Sequence, residues 1–299
     1  MQSVWPHRLA LATAGATFLL ILVGGIVTNT ESGLAVPDWP TTFGYNMFLY
    51  PLSKMVGGVL YEHSHRLVGS VVGLLVLALA GLLWAAETRA AVRWLGILAV
   101  LAVILQGVLG GLRVVRVAES LAILHGAFAH AFFALIVCLA QMTSPGWQAA
   151  VQPEQSEALF GVRRVALFLT LALYGQVILG TFVTHLHARV DAHLTGAVIV
   201  SGAVLLLRGR IGRSAAAWPE LVRPVGVLFG LWILQLVLGL GAYLVEFHPA
   251  VLAVPELTFS LLHRLTGALL LAMGMVLTLR AYRRSGWAGG ALLSDRVPA

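Results

Sequence analysis

Eight stretches of this chain are apolar for long enough to cross a hydrocarbon layer, and no other feature narrows the fold as far. They fall near 9–28, 65–86, 92–112, 120–142, 163–184, 190–207, 223–245 and 257–280. Spanning hydrocarbon takes roughly 20 apolar residues in a helix. In lipid every backbone N–H and C=O must also be satisfied within the segment, so each stretch predicts a helix. Only 10% of the 299 residues are charged against 59% hydrophobic, too little charge to cover a soluble domain. The expected fold is all-α and membrane-integral, and the length measures how many helices fit.

The net charge of +7 is not spread as a nucleic-acid surface would be. Most of the basic residues fall in one set of short segments: Arg8, Arg89, Arg93, Arg163, Arg164, Arg208, Arg210, Arg213, Arg223, Arg280, Arg283, Arg284 and Arg296. The alternate segments hold Lys54, Arg66, Arg113, Arg116, Arg189 and Arg264. Basic residues favour the cytoplasmic side, which places both termini there, in a plasma membrane. Nucleic acid is not an expected partner; membrane lipid is. Arg8 precedes an apolar run long enough to span, so the N-terminus reads as a span and not as a cleaved signal. Cys138 is the single cysteine, which excludes an intrachain disulfide or a cysteine-built metal site.

The two halves, 1–147 and 148–299, resemble each other. Leu105-Gln106-Gly107-Val108-Leu109-Gly110 corresponds to Leu234-Gln235-Leu236-Val237-Leu238-Gly239, and Ile21-Leu22-Val23-Gly24-Gly25 to Val177-Ile178-Leu179-Gly180-Thr181. A parallel repeat of four helices, giving two pseudo-symmetric four-helix bundles, is the simplest account. The first half also carries a long outer loop, from about Thr28 to Tyr61, with Glu31-Ser32-Gly33-Leu34 and Pro37-Asp38-Trp39-Pro40. Connections of that length between tight helices tend to be functional, and the aromatics and prolines favour an ordered cap.

Four of the 10 histidines stand out. His65 and His193 open even-numbered spans, and His125 and His263 lie in the first turns of the next ones. All four are expected at one depth near the outer face. Each repeat contributes two, on helices that can face each other across a bundle, and facing neutral imidazoles are the axial arrangement of a six-coordinate haem. Zinc would need three or four ligands around one point. A lone histidine near a span end often just bonds a neighbour, but four at matched depth in duplicated positions point to iron. His7, His63, His130, His185, His187 and His248 read as solvated or interfacial. Gly69, Gly73, Gly126, Gly196, Gly202 and Gly267 follow the four histidines closely, and would admit either a porphyrin or ordinary helix packing.

Glu62 stands three residues before His65, on the same helix face, whereas Val190 occupies the matching place before His193. A carboxylate there can move protons or stabilise a developing cation, or simply pair with Arg66 or an outer-loop arginine. Arg66, Arg264, Arg113 and Arg116 suit haem propionates, since guanidinium forks bind carboxylates bidentately. Salt bridges to Glu31, Asp38 or Glu119 are the ordinary alternative.

These motifs resemble the haem A synthase family over most of the chain. The carriers are Thr30-Glu31-Ser32-Gly33-Leu34 with Asp38-Trp39, Tyr61-Glu62-His63-Ser64-His65-Arg66, Leu105 to Gly111, Leu124-His125-Gly126, His193 and His263-Arg264. The resemblance implies two bundles, with haem b held by His193 and His263. It implies haem O as substrate, facing His65 and His125, with Glu62 needed for the chemistry. The reaction it implies is oxidation of the C8 methyl of haem O to the formyl of haem A by successive hydroxylations, with water as the oxygen source. Haem O synthase and a terminal oxidase are the partners it implies, and a homo-oligomer is left open. Some bacterial members carry a cysteine pair in the first outer loop; this loop has none, which puts thiol-dependent electron entry there in doubt.

A bis-histidine membrane cytochrome b acting only in electron transfer is the main alternative, and it has no use for Glu62. A haem transporter would want a tryptophan-rich outer loop, which Trp39 alone does not supply. A secondary transporter would want broken helices and a midplane site.

Overall fold

The computed structural model describes residues 3–148, 151–248 and 256–286. Arg296, counted above among the basic residues, lies outside them. The helices are α1 (Trp5–Asn29), α2 (Gly58–Ala86), α3 (Ala90–Arg116), α4 (Glu119–Thr143), the single turn α5 (Pro145–Gln148), α6 (Glu157–Leu186), α7 (Val190–Arg213), α8 (Pro219–Phe247) and α9 (Glu256–Arg284). Among the described residues eight of these are long and apolar enough to cross a membrane, as the apolar runs require. The chain is a multi-pass, all-helical membrane protein.

The helices outrun the apolar stretches. α2 starts at Gly58, not 65, and α6 at Glu157, not 163. A hydropathy pattern stops at the first polar side chains, but a helix continues wherever those side chains find partners. Glu62 and His63 find theirs inside the protein, being 4% and 1% exposed. His65 therefore lies two turns inside α2 and does not open it; His193 does lie in the first turn of its helix.

Within the first half α1 packs on α2 and α4, and α3 on both α2 and α4; within the second α6 packs on α7 and α9, and α8 on both α7 and α9. The halves meet where α4 touches α6 and α9, and where α1 touches α9. Three apolar clusters follow this division. One holds Val72, Leu79, Leu83, Ile136 and Leu139 in the first half. A second holds Leu159, Leu169, Val204, Leu207 and Leu228 in the other. The third, with Ile21, Phe133, Leu265, Ala268 and Ala272, fills the seam. In lipid such contacts act through dispersion and close fit, because tails are as apolar as leucine.

Polar contacts also join the helices. In the second half Thr170 on α6 and Thr278 on α9 share a hydrogen bond of 2.9 Å between buried hydroxyls. Intramembrane hydrogen bonds contribute modestly, on average about 0.6 kcal/mol. Thr278→Val should therefore lower the thermal midpoint of the detergent-solubilised protein only slightly; a collapse of the fold would show that this bond holds α6 to α9.

Candidate functional site

Each of the four histidines singled out above rests on a glycine of the preceding spanning helix. A Cβ placed on Gly24 of α1 would stand 2.9 Å from Cε1 of His65, and one on Gly110 of α3 would stand 3.0 Å from Cε1 of His125. Gly239 of α8 would meet His263 at 2.8 Å, and Gly180 of α6 would meet His193 at 3.5 Å. At the first three positions any side chain would push the ring aside. The glycines that touch histidine are thus those of the repeated apolar motifs, not those following the histidines. Gly69, Gly126, Gly196 and Gly267 instead pack on Leu20, Thr181, Gln176 and Gln235, and nothing approaches Gly73 or Gly202 within 4 Å. The signal was present in the sequence as Gly24, Gly110, Gly180 and Gly239 at the ends of matched motifs.

One turn before three of these glycines stands a glutamine. Gln106 and Gln176 donate through Nε2 to the backbone carbonyls of His125 and His193, each at 2.9 Å. Gln235 lies 3.1 Å from Nε2 of His263, while Nδ1 of that histidine is 3.2 Å from the Gln235 carbonyl. An amide nitrogen can only donate and a carbonyl only accept, so His263 carries its proton on Nδ1. In that arrangement the Nε2 lone pair accepts from the Gln235 amide, and a metal at Nε2 would have to displace this contact.

The histidines form two pairs. Ring centres are 6.4 Å apart for His65 and His125 and 6.2 Å apart for His193 and His263. An imidazole nitrogen sits roughly 2 Å from a transition metal and the ring centre roughly 1 Å behind it, so one iron between two imidazoles separates the centres by about 6 Å. Both pairs fit a bis-histidine haem. Among the described residues no group of three or more His, Cys, Asp or Glu gathers on a common point, as zinc would want.

The first loop closes over the His65–His125 end. Arg66 donates to the carbonyls of Val36, Asp38 and Thr41 at 2.9, 2.7 and 3.0 Å and to Glu62 at 2.7 Å. The other Glu62 oxygen accepts from Val36 N at 2.8 Å. Asp38 accepts from the N–H groups of Phe43 and Gly44 and from the Thr41 hydroxyl. Partial burial pushes the Asp38 carboxyl up, but these hydrogen bonds outweigh it and leave it below its ordinary value of 3.8. The Trp39 ring lies on the bare backbone of Gly111, beside the seat of His125, and Arg113 lies on Gly33. His63, expected to be interfacial, is buried and bonds Thr42 at 3.1 Å because it anchors this loop.

The arginines divide differently from expectation. Arg66 is committed to the loop and Glu62. Arg264 is half-buried at the seam and donates to the Gly25 carbonyl at 3.3 Å. Arg113, which faces Glu62 and His65, makes no hydrogen bond among the described residues. His130, also expected to be interfacial, is 6% exposed within α4 because it lies at the seam.

The depth of these seats is testable. Gly239→Ala should displace the His263 ring and lower the affinity of the purified protein for added haem, read by its absorption, while Gly180→Ala, whose Cβ would be in ordinary contact, should leave it. Equal effects at both would show that the glycines do not set ring position.

Comparison with known proteins follows this geometry. The heme A synthase of Shouchella clausii is 32% identical over 188 residues, covering 60% of each chain. The heme A synthase of Exiguobacterium sibiricum is 32% identical over 197 residues, 61% of each. The matches thus span about three fifths of these relatives' length, 60% and 61%. A protoheme IX farnesyltransferase of Haloarcula marismortui is 38% identical over 72 residues, 24% of this chain and 14% of its own. Residues 7–295 match the COX15-CtaA family, described as cytochrome oxidase assembly protein, and with that much of the chain covered the protein belongs to this family.

Proposed function

We propose that this protein is a haem A synthase, which oxidises the C8 methyl of haem O to a formyl group within the membrane. The observation that carries this reading is the pairing of histidines at a separation suited to one iron each, in a chain similar to heme A synthases. The two halves, 1–147 and 148–299, act as pseudo-symmetric bundles with different tasks. His193 and His263 hold haem b, which supplies one-electron chemistry when bound. His65 and His125 face the substrate haem O. With water as the oxygen source, the methyl and one water become a formyl with release of four protons and four electrons, the electrons passing to an external acceptor.

The division of labour rests on what surrounds each pair. Among the described residues only the first half has an acid one turn before its histidine on the same helix face, and the first loop is ordered over that pair. Glu62 is buried one turn from His65, held by Val36 N and Arg66. There it can take a proton or stabilise cationic character as the methyl is oxidised. Arg66 sets the Glu62 carboxylate and the loop together. Arg113, with its guanidinium free of hydrogen bonds among the described residues, is the best-placed partner for a substrate propionate. Arg264 serves the haem b side from the seam. The loop residues Asp38 and Trp39 exclude water from the substrate half.

By the positive-inside distribution the protein sits in the plasma membrane with both termini cytoplasmic and the histidine pairs toward the outer face. Its neighbours by chemistry are the enzyme that makes haem O and the oxidase that takes haem A.

Glu62→Gln separates this reading from a cytochrome that only transfers electrons. The variant should keep both haem-binding histidine pairs yet lose conversion of haem O to haem A by at least about a hundredfold, the usual worth of a positioned acid or base. Chromatography of extracted haems measures it, and undiminished haem A formation would count against Glu62. His193→Ala and His263→Ala should each remove the resident haem spectrum; persistence of that spectrum would place its ligands elsewhere.

A further inference from the structure

His130 has no task in the reading above, yet it is buried in the membrane interior, where an unused imidazole is costly to keep. Its Nδ1 lies 2.8 Å from the carbonyl of Gly126, the residue after His125. Its ring also faces the backbone of Arg264, the residue after His263, across the contact between α4 and α9. Arg264 in turn reaches from α9 to α1 and donates to the Gly25 carbonyl at 3.3 Å. Gly25 adjoins Gly24, the seat of His65. His130 and Arg264 thus line the seam between Gly126 and Gly25, with His125, His263 and the seat of His65 each one residue away along the chain from a member of this series. His130 has no counterpart by repetition, because the residue five places after His263 is Ala268, which is wholly buried in the seam cluster.

We propose that His130 is a positioning residue that couples the two histidine pairs, so that loading haem at His65 and His125 alters the haem held by His193 and His263. The proposal rests on the assignment of the two pairs given above. The physical basis is the bistable character of packed seams. A side chain that bonds the backbone beside one ligand and abuts the backbone beside another passes on small shifts that lipid-facing contacts would absorb. Coupling of this kind must be reciprocal, since it is a free energy shared by both sites.

The test uses the purified full-length protein with haem b resident, titrated with haem O. Two properties of the resident haem are read: its absorption maximum and its reduction midpoint. In the unaltered protein both should shift as haem O binds. His130→Phe, which fills the space without a donor, should bind both haems and lose the shift. His130→Gln, which keeps a donor of similar reach, should recover at least part of it. If His130→Phe fails to retain the resident haem, the smaller His130→Leu is read in its place by the same criterion. Haem O binding without any shift in the unaltered protein, or an undiminished shift in the Phe or Leu variant, would overturn the coupling alone. Failure of haem O to bind at all would overturn the proposed function together with it.

Discussion

Imidazole rings lying on bare helix backbone govern the arrangement of this protein. Each ligand-candidate histidine projects toward a glycine on the neighbouring helix, and in three of the four cases a methyl group there would collide with the ring. In hydrocarbon the hydrophobic effect does not drive helices together, so their spacing depends on which side chains allow close approach. Here the small residue serves two ends. It lets α1 approach α2, α3 approach α4, α6 approach α7 and α8 approach α9, and it fixes the lateral position of a ring that must meet a partner across the bundle. Glutamine one turn away adds direction where it occurs, through the backbone carbonyls of His125 and His193 and the ring of His263.

The asymmetry between the halves is built on this common frame. In α1 the position equivalent to the glutamines is Leu20, which packs on Gly69. In α2 the extra turns before His65 carry Glu62 and His63, Arg66 follows it, and each of the three finds a hydrogen-bond partner in the first loop. The second half has a tight turn at 187–189 instead, with His187 and Arg189 both at positive φ. The His65–His125 pair is thus capped by the ordered first loop. The proposed separation of substrate haem from resident haem follows from that difference in polar surroundings.

Much of this was open to reading in the chain alone. The number of spans, their helical state and the choice of His65, His125, His193 and His263 follow from apolar length and from the cost of polar groups in lipid. The repeat was visible in the matched Leu-Gln-Gly-Val-Leu-Gly and Leu-Gln-Leu-Val-Leu-Gly motifs, but not what the motifs do. Nothing in their order shows that Gly110 and Gly239 lie against rings sited further along the chain. Of the glycines after the histidines, Gly196 is closely approached by Gln176 while Gly126 and Gly267 make ordinary packing contacts; which of the two open readings each would follow depends on helix rotation and depth, which apolar sequences encode weakly. His63 and His130 were misplaced at an interface because a histidine surrounded by apolar residues looks alike whether it anchors a loop, bridges a seam or faces headgroups.

Composition and order by themselves determined that this chain spans a membrane eight times and carries four histidines at related positions, because backbone hydrogen bonding in lipid leaves no other spanning structure for such runs. Tertiary structure decided which histidines face each other, which glycines seat them, that Arg66 and Glu62 tie the first loop, and that Arg264 and His130 lie along the seam. Those outcomes turn on helix rotation and on contacts between residues far apart in the chain. Such contacts arise only once α4 and α9 pack together and bring the two halves to one seam.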